Sequence, residues 1–546
     1  MADCSSEKSS PVWQPPQPDT PPPPPPAETF ITKLKGLFSR SNLNKRKQQC
    51  SRRKLKYEYG CCFTAISIVF ILSTIGCIIM WFTDLYLDSI LNQMTLKEGT
   101  EIFAAWQKPP VKPLICVHVF NYTNFDDYTA GKSKKLKVKE TGPYCYRETL
   151  EKIDVKFYDN GTVSYGDRRT HVFEPNNSTG SINDTLIVPN VILISAEAMI
   201  RELPILVQLV VGGALTRGFN MTPMIKVPAH EFLFGYNDKF MSFMKGLSRF
   251  LHQEIPFEKF GMLAMRAAVT NDRLTITTGS NDLDEIGVVT AVNGRDKMTA
   301  WDDDECNRLD GSDGAFFPRH QINQTARLYL FHKDLCRKLP LEFQKEVDFQ
   351  DGVLGMRFHT PSNVYNTTGS CFCKHNSCPP VGVFDVSPCA NGVPIMMSFP
   401  HFMHADPAVT AHLKGLDPDP EKHDFFIDIQ PILGFTLGTV SRIQVNIQVR
   451  KSKRSSQLDV FDDGTILPVV WFEVTADRLP PDLFNMIYHA SVTVQWIQWS
   501  LQWGLLAISL LSAGCLLLCP CLRLRPVSVS PASPNTEIVV TKLSSV

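Results

Sequence analysis

The chain has 546 residues, enough for several domains, and its 55 basic and 55 acidic side chains cancel. Because an excess of positive charge is the footprint of nucleic-acid binding, this balance argues against a nucleic-acid partner. Ten of the basic residues nevertheless lie between Thr29 and Tyr57, a stretch that contains no acid.

Residues 1–59 are predicted to form a cytoplasmic tail. Its first part is Pro-rich between residues 11 and 26 and includes six consecutive prolines, Pro21 to Pro26. This composition is typical of a polyproline II spacer or of a ligand for a small adaptor domain. The basic stretch that follows favours contact with anionic lipid of the inner leaflet.

Two apolar segments are long enough to cross a bilayer, which takes about 20 residues. Residues 60–82 and 497–519 contain no charged side chain, and Arg523 and Arg525 follow the second segment. The first lies too far from the N-terminus for a cleaved signal peptide. The positive-inside rule places both termini in the cytoplasm. We therefore predict a tail (1–59), a span (60–82), an extracellular domain (83–496), a second span (497–519) and a tail (520–546).

Glycosylation motifs and cysteines agree with this topology. All the Asn-x-Ser/Thr motifs lie between the two spans, at Asn121, Asn160, Asn176, Asn177, Asn183, Asn220, Asn323 and Asn366. Eight of the 16 cysteines also lie there, an even number that predicts disulfides in an oxidising compartment.

Four further cysteines lie at the cytoplasmic edges of the spans, namely Cys61, Cys62, Cys519 and Cys521. Cysteines at this depth are sites of S-acylation, so we predict that at least one is acylated. The alternative is that they are merely small apolar residues of membrane helices.

The extracellular domain is predicted to mix helix and strand. Apolar and polar residues alternate strictly over residues 443–449, which predicts a strand with one buried face. Residues 115–120, 273–278 and 466–474 also have strand character. Residues 195–215 are predicted to be helical with a break near Pro204.

Several clusters could carry chemistry, but each has a simpler interpretation. Cys371, Cys373, Cys378 and Cys389 could bind zinc, although disulfides are the expected state outside the cell. A metal site at His401, His404 and His412 would need a fixed element, which Pro400 and Pro407 interrupt. The acidic run 302–305 lacks the spacing of a calcium loop. We therefore predict no metal, no cofactor and no catalytic residues.

Topology alone leaves three classes open: a receptor or lipid-binding ectodomain, an ecto-enzyme such as an ecto-nucleotidase, and a ligand-gated cation channel. The single nucleotidase-like feature is the segment 310–314, Asp-Gly-Ser-Asp-Gly. The pore-like features are Ser509, Ser512 and Gly514 in the second span.

Longer motifs resemble the class B scavenger receptor family. They are the segments 120–124 (Phe-Asn-Tyr-Thr-Asn), 142–144 (Gly-Pro-Tyr), 371–373 (Cys-Phe-Cys), 382–385 (Gly-Val-Phe-Asp), 400–402 (Pro-His-Phe) and 434–436 (Gly-Phe-Thr). The resemblance covers roughly residues 55–520. It implies an α+β fold: an antiparallel β-barrel-like ectodomain with an apical helical bundle and an internal lipid tunnel, anchored by two transmembrane helices.

The resemblance also implies disulfides and a function. It pairs Cys306 with Cys371, Cys336 with Cys389, and Cys373 with Cys378. We add Cys116 with Cys145, because both lie in predicted strands and no other extracellular cysteine is left. The implied function is uptake or transfer of lipid or lipoprotein ligands, including fatty acids, sterols, carotenoids and apoptotic or microbial surfaces. Alternatives within the family are a lysosomal or endosomal lipid transporter, a trafficking receptor, and a chemosensory co-receptor.

The expected location is the plasma membrane, with endosomes or lysosomes as the alternative. The C-terminal residues Ser544, Ser545 and Val546 fit a ligand of a PDZ domain, and a homo-oligomer is compatible with the family.

One stretch bears on ligand class. Residues 203–216, at the position of the family's apical helices, contain no charged side chain, while Arg217 and Lys226 follow. One interpretation is a buried core helix. The other is an apolar lip through Leu206, Leu209 and Val210, with Arg217 and Lys226 as weak electrostatic contacts, that favours neutral lipids over polyanionic particles.

Overall fold

The computed structural model describes residues 40–523, apart from residues 84, 93–94, 202–203, 214, 216–217, 244–258, 265, 267, 374–377, 453–455 and 477–478. For residues 40–59, 87, 90, 207, 268, 270–271 and 519–523 it describes the backbone alone. These residues fall into two units. One is formed by the chain up to Thr83 together with the chain from Ser500, and the other, named the outer unit below, is Asp84–Trp499.

The α-helices lie before, between and after the strands, as the mixed composition predicts. They are α1 (Arg40–Phe82), α2 (Leu85–Leu91), α3 (Glu101–Gln107), α4 (Phe125–Thr129), α5 (Val191–Arg201), α6 (Ile205–Gly213), α7 (Ala229–Phe234), α8 (Pro407–Thr410), α9 (Pro420–His423), α10 (Pro481–Tyr488) and α11 (Val494–Arg523). A π-helical turn, His489–Thr493, joins α10 to α11. The break between α5 and α6 confirms the interruption expected near Pro204.

The strands include all four that alternation and composition predict. They are β1 (Leu114–Tyr122), β2 (Leu136–Tyr158), β3 (Thr162–Phe173), β4 (Thr185–Pro189), β5 (Met224–Pro228), β6 (Ala268–Thr277), β7 (Val289–Val292), β8 (Arg327–His332), β9 (Arg337–Gln350), β10 (Val353–His359), β11 (Val383–Asp385), β12 (Ile395–Ser398), β13 (Leu413–Lys414), β14 (Phe426–Gln430), β15 (Phe435–Gln448) and β16 (Ile466–Ala476).

Fourteen of these strands form one sheet in the order β7-β6-β3-β2-β1-β16-β15-β14-β10-β9-β8, with β11, β12 and β13 attached beside this path. The pairs along the path are antiparallel, as expected, whereas the short strand β13 pairs with β2 in parallel. The strands β4 and β5 form a separate two-stranded sheet.

The segment at Gly311 and Ser312 joins the two ends of this sheet. Ser312 bridges Val288, next to β7, on one side and Leu330 of β8 on the other. The backbone N–H of Val289 donates to the carbonyl of Gly311 at 2.9 Å, and Ser312 exchanges two bonds of 2.8 Å with Tyr329 and Phe331. The sheet is therefore nearly closed, and the segment that looked nucleotidase-like is its closing piece.

Closure brings the backbones at Gly311 very close together. A Cβ atom at Gly311 would lie 2.9 Å from the backbone nitrogen of Phe331 and 3.3 Å from the carbonyl oxygen of Tyr329. Only a residue without a side chain fits there without displacing β8.

The interior is apolar, with one departure from expectation in β15. Alternation predicts one buried face, and Val445 and Ile447 do lie in the main core. However, Gln444 and Asn446 on the other face are also fully buried. The two carboxamides are hydrogen-bonded to each other, to the backbone of His401 and to Ser398. These bonds take the place of bonds to water, so both side chains can be buried.

Four disulfide bonds cross-link the outer unit. Cys116 of β1 lies directly opposite Cys145 of β2 and is bonded to it. The other three join Cys306 to Cys371, Cys336 to Cys389 and Cys373 to Cys378.

The other unit contains two helices long and apolar enough to cross a membrane, at Gly60–Phe82 and within Pro481–Leu518. They contact each other: the hydroxyls of Thr74 and Ser509 share a hydrogen bond of 2.9 Å, and the rings of Trp81 and Trp503 meet edge to face at 5.5 Å. Ser512 donates to the carbonyl of Ile508 in its own helix. Of the two serines that looked pore-like, Ser509 contacts the other helix and Ser512 is hydrogen-bonded within its own helix.

We expect Gly311→Ala to lower the unfolding temperature, because the added methyl group must push against the backbone of Phe331. Overpacking of this kind costs about 1–3 kcal/mol. Thermal unfolding of the full chain in a non-ionic detergent measures it. Gly218→Ala is the control, since no atom lies within 4 Å of its added Cβ. Equal unfolding temperatures for the two variants would contradict the closing role of Gly311.

Candidate functional site

An apolar helical face is exposed on α6. Ile205, Leu206, Leu209 and Val210 are between 51% and 74% exposed. Their spacing, i, i+1, i+4 and i+5, places them on one side of the helix. A cluster of exposed aliphatic side chains of this size is typical of a binding surface rather than of a scattered apolar surface residue.

The opposite side of this segment is buried. Val211 and Leu215 are less than 4% exposed and belong to the main core. The prediction of a buried core helix therefore applies to one face only. Leu206, Leu209 and Val210, the residues of the predicted apolar lip, lie on the exposed face. Ile205 extends that face and was not singled out in the sequence, since exposure cannot be read from a run that is apolar all round.

Polar contacts fix α5 and α6 at their ends. Asn190 caps α5, with its carboxamide oxygen accepting from the N–H of Leu193 at 3.1 Å and its nitrogen donating to the carbonyl of Thr222. Arg201, at the end of α5, pairs with Asp463 at 3.2 Å. The carboxamide of Gln457 donates to the carbonyl of Leu215 at 3.4 Å. The exposed face is thus carried on an anchored element.

Among the residues that the structure describes, charge near this face is sparse. No residue of α6 is charged, and Arg201, at the end of the preceding helix, is already paired with Asp463. Lys226 lies exposed on β5, opposite Ile187, and Arg217 lies outside the described residues. The geometry therefore fits contact with apolar ligand surface better than recognition of a polyanion.

The predicted glycan and acylation sites are mostly accessible. Exposed asparagines are Asn160, Asn176, Asn177, Asn183, Asn220, Asn323 and Asn366. Asn121 is half-buried, and its carboxamide oxygen accepts from the N–H of Ile187 at 2.9 Å. The thiols of Cys61 and Cys62 are free and exposed, whereas the side chains of Cys519 and Cys521 lie outside the described residues.

A small apolar pocket lies elsewhere in the outer unit. Its cavity volume is about 10 Å³, roughly the space of one water molecule, and its lining residues are Leu91, Leu283, Ile286, Phe316, Arg319 and Leu433. Sites for small molecules usually enclose about 300–1,000 Å³, so this pocket alone does not hold a lipid chain and a tunnel stays a prediction.

The three histidines that could suggest a metal site do not converge. His412 contacts the carbonyl of Ile466 through Nε2, His404 is exposed, and His401 is buried against Glu140. Within the described part of the chain, no group of three His, Cys, Asp or Glu side chains has the arrangement of a metal site.

Instead, Glu140 bridges two histidines from distant parts of the chain. His118 Nδ1 lies 2.7 Å from one carboxylate oxygen and His401 Nε2 lies 2.6 Å from the other. Since Nδ1 of His401 accepts from the N–H of Asp417, its Nε2 is a donor to Glu140. Burial by itself raises the pKa of Glu140, but these hydrogen bonds outweigh it and hold the pKa well below its usual range.

A third histidine stacks on this network. The rings of His401 and His423 are 4.6 Å apart and nearly parallel, and the N–H of Asp419 donates to His423 Nδ1. Burial, followed by the neighbouring His401, lowers the pKa of His423 to about 4. Folded His423 is thus neutral at pH 7. Sequence reasoning missed this network because nothing local links residues 118, 140, 401 and 423.

We expect His423 to make the fold less stable at acidic pH. Its folded pKa of about 4 lies below the unfolded value of about 6.5, so its contribution is complete above pH 6.5 and is lost as pH falls toward 4. His423→Gln should flatten this part of the profile of unfolding temperature against pH. The exposed His320→Gln is the control, and an unchanged slope in His423→Gln would contradict the assignment.

The chain is similar to known proteins over most of its length. The sequence model of the CD36 family matches residues 65–520. Scavenger receptor class B member 1 of Rattus norvegicus is 28% identical over 447 residues, which cover 81% of this chain and 85% of that protein. Lysosome membrane protein 2 is 31% identical in Mus musculus over 401 residues and 30% in Homo sapiens over 405, covering 72% of this chain and 81% of each relative.

Proposed function

The chain belongs to the CD36 family of class B scavenger receptors, and from this premise we propose that it binds lipid or lipoprotein ligands and mediates uptake or transfer of their neutral lipids. The observation that carries the proposal is the exposed, uncharged face of α6, formed by Ile205, Leu206, Leu209 and Val210. No covalent chemistry is required, so the proposal needs no catalytic residue.

The physical reason is desolvation. Each methylene group transferred from water to an apolar surface gains about 0.8 kcal/mol, and the same gain applies to the exposed aliphatic side chains when a lipid covers them. A face without charges offers this gain to sterols, carotenoids and other neutral lipids. Transfer through an internal tunnel would keep the chains out of water along the whole path.

The relatives support two locations. One matched protein is a scavenger receptor, and the other is named as a lysosome membrane protein. We propose residence in the plasma membrane with both termini in the cytoplasm, and lysosomal residence is the alternative that the second relative favours. A PDZ partner at Val546 and self-association belong to the same proposal.

Uptake of a labelled sterol or carotenoid by cells expressing the chain tests the ligand class. Leu209→Glu should lower uptake on the order of tenfold, because a carboxylate must lose its hydration when lipid covers the face. Gln208→Glu, which adds the same charge to a polar position of α6, should have little effect.

Acetylated lipoprotein serves as competitor in the same assay. Full competition by this polyanion, or normal uptake by Leu209→Glu together with loss in Lys226→Glu, would show that the apolar face is not the ligand surface.

Surface biotinylation of native tissue tests the location. We expect labelling of glycosylated chain at the cell surface, because the extracellular domain then faces the reagent. Signal restricted to purified lysosomes would establish the alternative.

A further inference from the structure

Arg337 is a buried cation at the start of β9. It follows Cys336, which is bonded to Cys389, and its side chain is only 7% exposed. The guanidinium carbon lies 4.3 Å from the ring centre of Phe372 and 4.5 Å from that of Phe384. Trp301 meets both rings edge-on or tilted, at 5.1 and 5.5 Å. The cation is therefore held in an aromatic setting.

The aromatic contacts do not satisfy its N–H groups. Nε and Nη1 of Arg337 are buried and have no hydrogen-bond acceptor, and among the residues that the structure describes no carboxylate lies within the 4.0 Å of an ion pair. Burial lowers the pKa of Arg337 to about 10, so the group is still charged at pH 7. An unpaired buried charge is costly, and a stacked ring face supplies no acceptor in the plane of the guanidinium.

Arg357 shows what a completed site looks like in the same fold. Its guanidinium lies 3.7 Å from the ring centre of Phe426, and its Nε and Nη2 donate to the two oxygens of Asp428 at 2.7 and 2.8 Å. Arg357 thus combines a ring contact with a two-oxygen acceptor. Arg337 has the ring contacts without the acceptor.

Another buried arginine, Arg266, differs from Arg337 because it has carboxylates nearby. Burial lowers its pKa, but the nearby carboxylates of Glu148 and Asp334 act in the opposite direction. For Arg337 the neighbour that acts in this way is the hydroxyl of Tyr365, a neutral group at pH 7 because burial raises the pKa of Tyr365. Arg337 therefore lacks a built-in counter-charge in the described part of the chain.

We propose that Arg337 is an oxyanion-binding site, in which the guanidinium pairs with two oxygens of a carboxylate or phosphate group. Paired, planar oxygens are the acceptors that match the fork of an arginine. The surrounding Trp301, Phe372 and Phe384 suit a ligand whose anionic head group is followed by an apolar chain, such as a fatty acid or an alkyl phosphate. The site is separate from the face of α6, and the inference does not depend on that face.

The test uses the full chain in a non-ionic detergent. Isothermal titration with octanoate and octyl phosphate measures binding, acetate and inorganic phosphate test whether the head group alone suffices, and octanol tests the apolar chain alone. We expect the anionic probes to bind at Arg337, whereas octanol should give the same heat with the wild type and with Arg337→Gln. Arg337→Gln should weaken binding of the anionic probes on the order of ten- to hundredfold, as loss of charge-assisted hydrogen bonds predicts. Arg357→Gln should keep wild-type affinity, and so should Leu209→Glu.

Unfolding temperature without added anion supplies the second readout. Because Arg337 has ring contacts but no hydrogen-bond acceptor within the protein, Arg337→Gln should lower the unfolding temperature less than Arg357→Gln does, since the latter also loses two bonds to Asp428. If Arg337→Gln is destabilised as much as Arg357→Gln, the chain itself holds the guanidinium and the proposal is wrong. Unchanged probe affinity in Arg337→Gln would overturn it equally.

Discussion

The closing contact at Ser312 is the constraint on which the outer unit depends. An open sheet of eleven consecutive strands would leave β7 and β8 as edges with unpaired N–H and C=O groups. Ser312 is hydrogen-bonded to the β8 end, Gly311 and Asp313 are hydrogen-bonded to the end at β7, and Gly311 allows the backbones to approach. Once the ends are joined, the strands surround a shared apolar core. The large apolar core and the fully bonded polar pairs within it follow from that enclosure.

The outer unit has polar side chains in its interior and apolar side chains on its surface. Gln444 and Asn446 are polar and fully buried, Glu140 is polar and half-buried, and each has its partners within the protein. Outside, α6 presents aliphatic side chains to solvent. Gln444 and Asn446 are hydrogen-bonded and therefore contribute to a unique packing, while the exposed apolar side chains of α6 gain only when something covers them. Stability and recognition are thus assigned to different residues.

Sequence alone predicts those features that depend on local periodicity or on long apolar runs. The two candidate membrane helices, the strands at residues 115–120 and 466–474, and the helix break near Pro204 are all recovered from spacing and residue type. The family resemblance adds a nearly closed antiparallel sheet. Features that depend on distant contacts escape such reasoning. Gln444 and Asn446 have the pattern of an exposed face and are buried because the loop at His401 covers them. Gly311 and Glu140 acquire their roles from partners that no local pattern identifies.

The position of β1 in the sheet has a consequence for the order of synthesis. Its neighbours are β2, which follows within about twenty residues, and β16, which begins at Ile466. As the chain emerges from the ribosome, one edge of β1 is paired early and can be locked there by the bond between Cys116 and Cys145. The other edge must wait for nearly the whole outer unit to be made. Until then, the second edge of β1 is unpaired and can pair with other chains, so aggregation through this edge is a hazard that lasts until β16 is made.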